Sequence, residues 1–187
     1  MIDANMFLVP EHTCLMVIDP QKRLMAAIHQ ADRMVKNTAL MIHCTRVMEI
    51  PVIGTTQYVQ GLGPWVDELA RLVPERQLTD KTEFNALANE AVKGRLWELP
   101  AHIDTFLVTG AESHICIMQT VMGLLEQGKR PWVVADAVSS RNPEHVALAL
   151  QRMRQMGVTV GPAESAVYEL LHRAGTERFK ALLPYLK

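Results

Sequence analysis

The feature that most constrains this chain is a rhythm. Short apolar runs without polar–apolar alternation recur along it, and an amphipathic stretch follows almost every one. Residues 14–18, 52–54, 103–108, 131–135 and 158–160 are such runs, and residues 76–79 make a further one of weaker composition. A continuous apolar run fits a strand covered on both faces, as in a parallel sheet. Residues 31–48 carry Met34, Val35, Met41, Ile42 and Met48 at helical spacing. Residues 66–71, 86–97, 117–125, 143–156, 165–171 and 177–183 read as further helices, with Pro100, Gly128 and Gly157 as stops. Strand–helix alternation predicts an α/β fold with a mainly parallel sheet and helices on both faces. No repeat, low-complexity tract or linker divides the chain, so residues 1–187 are expected to form one domain.

Composition narrows the partners. Nineteen Lys and Arg against 20 Asp and Glu give a formal net charge of −1 with no basic block. Nucleic acid and anionic membrane are therefore not the expected partners. No apolar run approaches the ~20 residues of a spanning helix, and residues 1–10 lack the cationic and long apolar regions of a secretory signal. Cys14, Cys44 and Cys116 cannot all pair, and no CxxC spacing occurs. That argues for a reducing compartment, the cytoplasm.

Chemistry-bearing residues fall where the strands end. Asp19 closes the first apolar run, Lys81 lies just past the third, and Cys116 follows the fourth in Val108-Thr109-Gly110-Ala111-Glu112-Ser113-His114-Ile115-Cys116. Gly110 permits a tight turn there, which puts Cys116 near a helix N-terminus at the sheet edge where open α/β folds bind ligands. A helix N-terminus favours a thiolate. Each residue alone has an ordinary reading. Asp before Pro20 opens a loop, a lone Lys is a solvated charge, and a free Cys is core packing. Together on one edge they make a nucleophile with two polar partners. Residues 55–64 and 136–141 read as loops at the same edge, and His114 as a local hydrogen-bonding residue.

The order of these motifs resembles the isochorismatase-like cysteine hydrolases: Val17-Ile18-Asp19-Pro20-Gln21, then Lys81-Thr82-Glu83-Phe84, then Gly110 to Cys116. Residues 56–64 and 136–141 look like the subgroup of isochorismatase domain-containing proteins. The resemblance implies a three-layer α/β/α sandwich with a six-stranded parallel sheet, and a homo-oligomer. It implies a triad in which Cys116 attacks a carbonyl carbon, Asp19 carries the proton and Lys81 holds Asp19. It further implies a cis peptide at Ala111–Glu112 and an oxyanion hole from the backbone N–H groups of Glu112 and Cys116. Gln57, Tyr58 and Phe84 are placed around a small-molecule substrate by resemblance and by loop position. Two departures shape the expectation. The Asp-x-His of metal-binding relatives is absent from Thr55-Thr56-Gln57-Tyr58-Val59-Gln60, so no metal or other cofactor is expected. Authentic isochorismatases lack this Cys, so Cys116 turns the reading from ether cleavage towards an amide or related C–N bond. Two alternatives stand beside it: an interaction protein that keeps the triad with little turnover, and a thiol redox protein.

Overall fold

Residues Thr13–Ile18 are buried at every position, and burial on both faces makes this strand, β1, a middle strand of the sheet. The computed structural model describes residues 7–186, the side chain of Arg76 excepted, so residues 1–6 of the segment read for a secretory signal lie outside it. After β1 the chain runs α1 (Lys22–Met25), α2 (Ala31–Met48), β2 (Val52–Gln57), α3 (Val59–Leu62), α4 (Asp67–Ala70) and β3 (Leu78–Lys81). It continues through α5 (Glu90–Trp97), β4 (Thr105–Ala111), α6 (Met118–Glu126), β5 (Arg130–Ser139), α7 (Pro143–Gln155), β6 (Thr159–Gly161), α8 (Ala163–Leu171) and α9 (Glu177–Leu182).

The six strands form one parallel sheet in the order β3-β2-β1-β4-β5-β6. The chain winds outward from β1 in one direction and from β4 in the other. Between β1 and β4 the winding therefore reverses, and a crevice opens beyond their C-terminal ends. Asp19 and Cys116 follow those two strands. Alternation along the strands feeds two cores. Leu15, Val17, Leu107 and Trp132 pack under α2, α4, α8 and α9. Cys14, Met16, Ile18, Phe106, Val108 and Val133 pack under α5, α6 and α7.

Several boundaries differ from the sequence reading. β4 runs on to Ala111, so Gly110 lies in the strand rather than in a turn. Its φ of 116° and a Cβ position only 1.9 Å from the Ile18 carbonyl oxygen explain the residue: only glycine lets β4 come this close to β1. β5 extends to Ser139 and includes most of what reads as a polar loop, with a register shift against β4 between Val108 and Gly110. Asp136 is used structurally, its carboxylate accepting from the Ala163 N–H at the start of α8 (2.8 Å). Lys81 is the last residue of β3, not a loop residue beyond it. The helix expected over 86–97 is broken by Asn89, whose side chain accepts from the N–H groups of Ala91 and Val92 and starts α5 anew.

Candidate active site

Asp19 leaves β1 in the left-handed region, φ 51°, a conformation Asp tolerates better than most side chains. Its Oδ1 accepts from Thr55 Oγ1 at 2.6 Å and its Oδ2 from Lys81 Nζ at 2.7 Å. Both side chains of the ion pair are fully buried, at 0% exposure. Such a pair persists only when hydrogen bonds meet its remaining polar capacity. Here Lys81 Nζ also donates to Gln57 Oε1 at 2.7 Å. The pleat assembles the group. Thr55 and Gln57 lie on one face of β2, Lys81 on the same face of β3, and Gln57 pairs in register with Lys81.

Cys116 arrives from the other side of the crevice. The Ala111–Glu112 peptide is cis. Residues Ser113–Ile117 then form a π-helical turn, with the Ile117 N–H donating to the Glu112 carbonyl oxygen at 3.2 Å, before α6 begins. The wide turn carries the thiol inward, where Cys116 is only 7% exposed and its Sγ lies 4.0 Å from Gln57 Oε1. The Asp19 carboxylate and the Glu112 backbone lie near enough to act on the thiol. Burial first, and then the negative charge of Asp19, push the Cys116 thiol up to about 12, against the opposing pull of Lys81. Burial and the Asp19 charge thus oppose the thiolate that a helix start would favour. Cys14 and Cys44 are raised as well, chiefly by burial.

Around this centre the expected residues divide. Asp19, Lys81, Cys116, Gln57 and the Glu112 backbone come together. Gln57 is engaged at both ends of its amide, since its Nε2 donates to the Thr82 carbonyl at 2.7 Å. Tyr58 and Phe84 each stand 53% exposed on the flanking loops. The Glu112 carboxylate turns away from the chemistry, accepting from the backbone N–H of Arg141 at 2.9 Å and from its Nε at 3.1 Å. His114 Nδ1 is 3.0 Å from Ser140 Oγ, and its ring lies 4.6 Å from that of His145. Burial lowers its pKa, while the charge of Glu112 works the other way.

Three residues escape the sequence reading. Thr55 holds the second oxygen of Asp19. Buried Gln21 fixes the loop after β2, accepting from the Gln57 N–H at 2.7 Å and donating to the carbonyls of Gly63 at 2.7 Å and Gln57 at 3.2 Å. Arg141 anchors Glu112. The period-two position of Thr55 relative to Gln57 is the only signal that could have found it; Gln21 and Arg141 offer none. Among the described residues, no three His, Cys, Asp or Glu side chains gather as metal ligands.

A six-stranded parallel sheet with a buried thiol, carboxylate and amine at its switch point defines a doubly wound α/β protein with a reactive cluster at one sheet edge. The chain belongs to the isochorismatase family, whose domain model matches residues 13–165. It is 32% identical over 183 residues to the secreted isochorismatase effector Isc1 of Phytophthora sojae, covering 96% of this chain and 87% of that one. It is 32% identical over 181 residues to isochorismatase domain-containing protein 2A of Mus musculus, covering 96% and 85%. The solved structure of MAR1 ribonuclease from Caenorhabditis elegans superposes with a TM-score of 0.88 at 28% identity, over 96% of this chain and 92% of that one.

Proposed function

We propose that this protein is a cysteine hydrolase that cleaves an amide or related C–N bond of a small molecule. The observation that carries the reading is the buried Cys116 thiol, its Sγ 4.0 Å from Gln57 Oε1, at a centre where Lys81 joins that same amide oxygen to Asp19, a carboxylate also held by Thr55. A thiol raised to about 12 is a poor nucleophile unaided. With a carboxylate at the same centre it need not ionise beforehand, because the proton can leave as the sulfur attacks. In this scheme Cys116 Sγ bonds the carbonyl carbon and its proton passes to Asp19. The carbonyl oxygen becomes an oxyanion facing the N–H groups of Glu112 and Cys116. The Glu112 backbone lowers the Cys116 thiol against the other influences on it, which supports an N–H close to the reacting sulfur. Collapse breaks the C–N bond, Asp19 gives the proton to the leaving nitrogen, and an acyl thioester stays on Cys116. A water that loses its proton to Asp19 then attacks the thioester. The acid departs and the proton returns to the sulfur. Lys81 keeps the carboxylate in place and offsets its charge.

Gln57, Tyr58 and Phe84 would border the substrate, and the reaction needs neither metal nor other cofactor. The donor set fits this reading: Gln57, the polar side chain of β2 nearest the thiol, already has its oxygen on Lys81. The redox alternative has less support, because Cys14, Cys44 and Cys116 are all free and none pairs with another. A formal net charge of −1 with no basic block favours a small molecule over a nucleic acid.

We further propose that residues 1–187 form one isochorismatase-like domain that self-associates. Phe7, Trp97 and Leu148, all more than half exposed, supply apolar surface for the contact. A monomer mass by sedimentation would remove that proposal. Three free, buried cysteines suit the cytoplasm, and no helix among the described residues is long and apolar enough to cross a membrane. The test of function is turnover on a panel of small amides with Cys116→Ala as control. Activity that survives Cys116→Ala, or that falls on chelation and returns with metal, contradicts the proposal.

A further inference from the structure

The two strands that carry Gln57 and Lys81 have a second face. On it Thr56 of β2 and Leu78 and Asp80 of β3 line a half-open cleft of about 420 Å³, bordered also by Trp65, Val73 and Glu75. It is not an extension of the reactive centre. The pleat sends Thr55, Gln57 and Lys81 to one side of the sheet and Thr56, Leu78 and Asp80 to the other. Its volume and mainly apolar lining are those of a small-molecule site, with few polar groups to orient a ligand. Two of those groups are the carboxylates of Glu75 and Asp80, and no cation among the described side chains pairs with either. Asp80 is already fixed in direction: its Oδ1 accepts from Thr56 Oγ1 at 2.8 Å and from the Val59 N–H at 2.9 Å. The buried indole of Trp65 is held likewise, its Nε1 donating to the Thr55 carbonyl at 2.7 Å.

We propose that this cavity is a second ligand site, back to back with the reactive centre, and that it takes a small primary amine with an apolar body. The ammonium group lies towards Glu75 and Asp80, and the apolar body lies against Trp65, Val73 and Leu78. An anion would face two like charges, and a wholly apolar ligand would use neither of these exposed carboxylates.

Titration calorimetry of the full chain at low salt tests this, with phenethylamine as probe and 2-phenylethanol as its uncharged match. Saturable binding of phenethylamine is expected, about tenfold tighter than the alcohol. Glu75→Gln should weaken it about fivefold, the scale of an exposed ion pair. Because Asp80 also ties down Thr56 and Val59, Asp80→Asn could disturb the loop. The second variant is therefore Ala70→Phe, which fills the cavity from α4 and should abolish binding. Prior alkylation of Cys116 should leave binding intact. Absence of saturable binding, equal affinity for the alcohol, indifference to Glu75→Gln or to Ala70→Phe, or loss of binding on alkylating Cys116 would each overturn the proposal. The last of these would put the amine in the reactive centre instead.

Discussion

At the scale of single residues, the proposed chemistry and the local stability both turn on the Asp19–Lys81 pair. It is fully buried and hydrogen-bonded at 2.7 Å. Removing one partner strands the other charge in the core, at a cost of about 3–5 kcal/mol. Asn is the suitable replacement for Asp19, because it tolerates the φ of 51° found there. Asp19→Asn and Lys81→Met should each lower the urea midpoint strongly, and the double variant should lower it by much less than the sum. Additive losses would show that the two groups do not depend on each other. Turnover should fall about 10²–10⁴-fold in Asp19→Asn, the usual contribution of a positioned proton carrier. The three residues of the centre are legible in the sequence because each is a polar or reactive group that punctuates an apolar run. Thr55 and Gln21 are not. A neutral hydroxyl or amide near a strand end leaves no trace in periodicity or charge, and only pairing between strands shows what it holds.

At the scale of elements, the strands and helices were readable from apolar runs and helical spacing, while their ends were not. Asp136 to Ser139 look like loop residues. They continue β5 because their polar atoms find partners inside the fold: Asp136 on the start of α8, and Ser139 Oγ on the His29 carbonyl at 2.5 Å. The π-helical turn carrying Cys116 was also hidden, since one extra residue per turn leaves the apolar pattern of α6 unchanged. Gly110 was found and its purpose misread. Its place is a close approach between β4 and β1, and Gly110→Ala would drive a methyl group into the Ile18 backbone. We expect that variant to lose about 3 kcal/mol or more. Gly94→Ala in α5, where an added Cβ meets nothing within 4 Å, should instead stabilise by about 0.4–1 kcal/mol. Equal effects of the two changes, read by thermal unfolding, would contradict this account of β1–β4 packing.

At the scale of the whole molecule, the three thiols make stability fall at alkaline pH. Burial raises each of them above the ordinary thiol value of about 9 in the fold. Above that value the unfolded chain releases protons that the folded chain retains. Stability is therefore fully present below about pH 9 and is lost as pH climbs towards the folded values, by about 1.4 kcal/mol per pH unit for each thiol. Urea midpoints followed from neutral to alkaline pH should show that decline, with a shallower slope in Cys116→Ala. An unchanged slope would mean that Cys116 is not buried in the way described. The same fold brings Asp19, Lys81 and Cys116 together from three separate strands, and this convergence is the central claim. Iodoacetamide labelling against pH, read at each cysteine by peptide mass, tests it most directly, with Cys14 and Cys44 as internal references. The account predicts that Cys116 is modified before the other two. It also predicts that Asp19→Asn, by removing a nearby negative charge, shifts its labelling to lower pH, and that Lys81→Met shifts it to higher pH. Labelling of Cys116 no faster than that of Cys14 and Cys44, and indifferent to both substitutions, would contradict it.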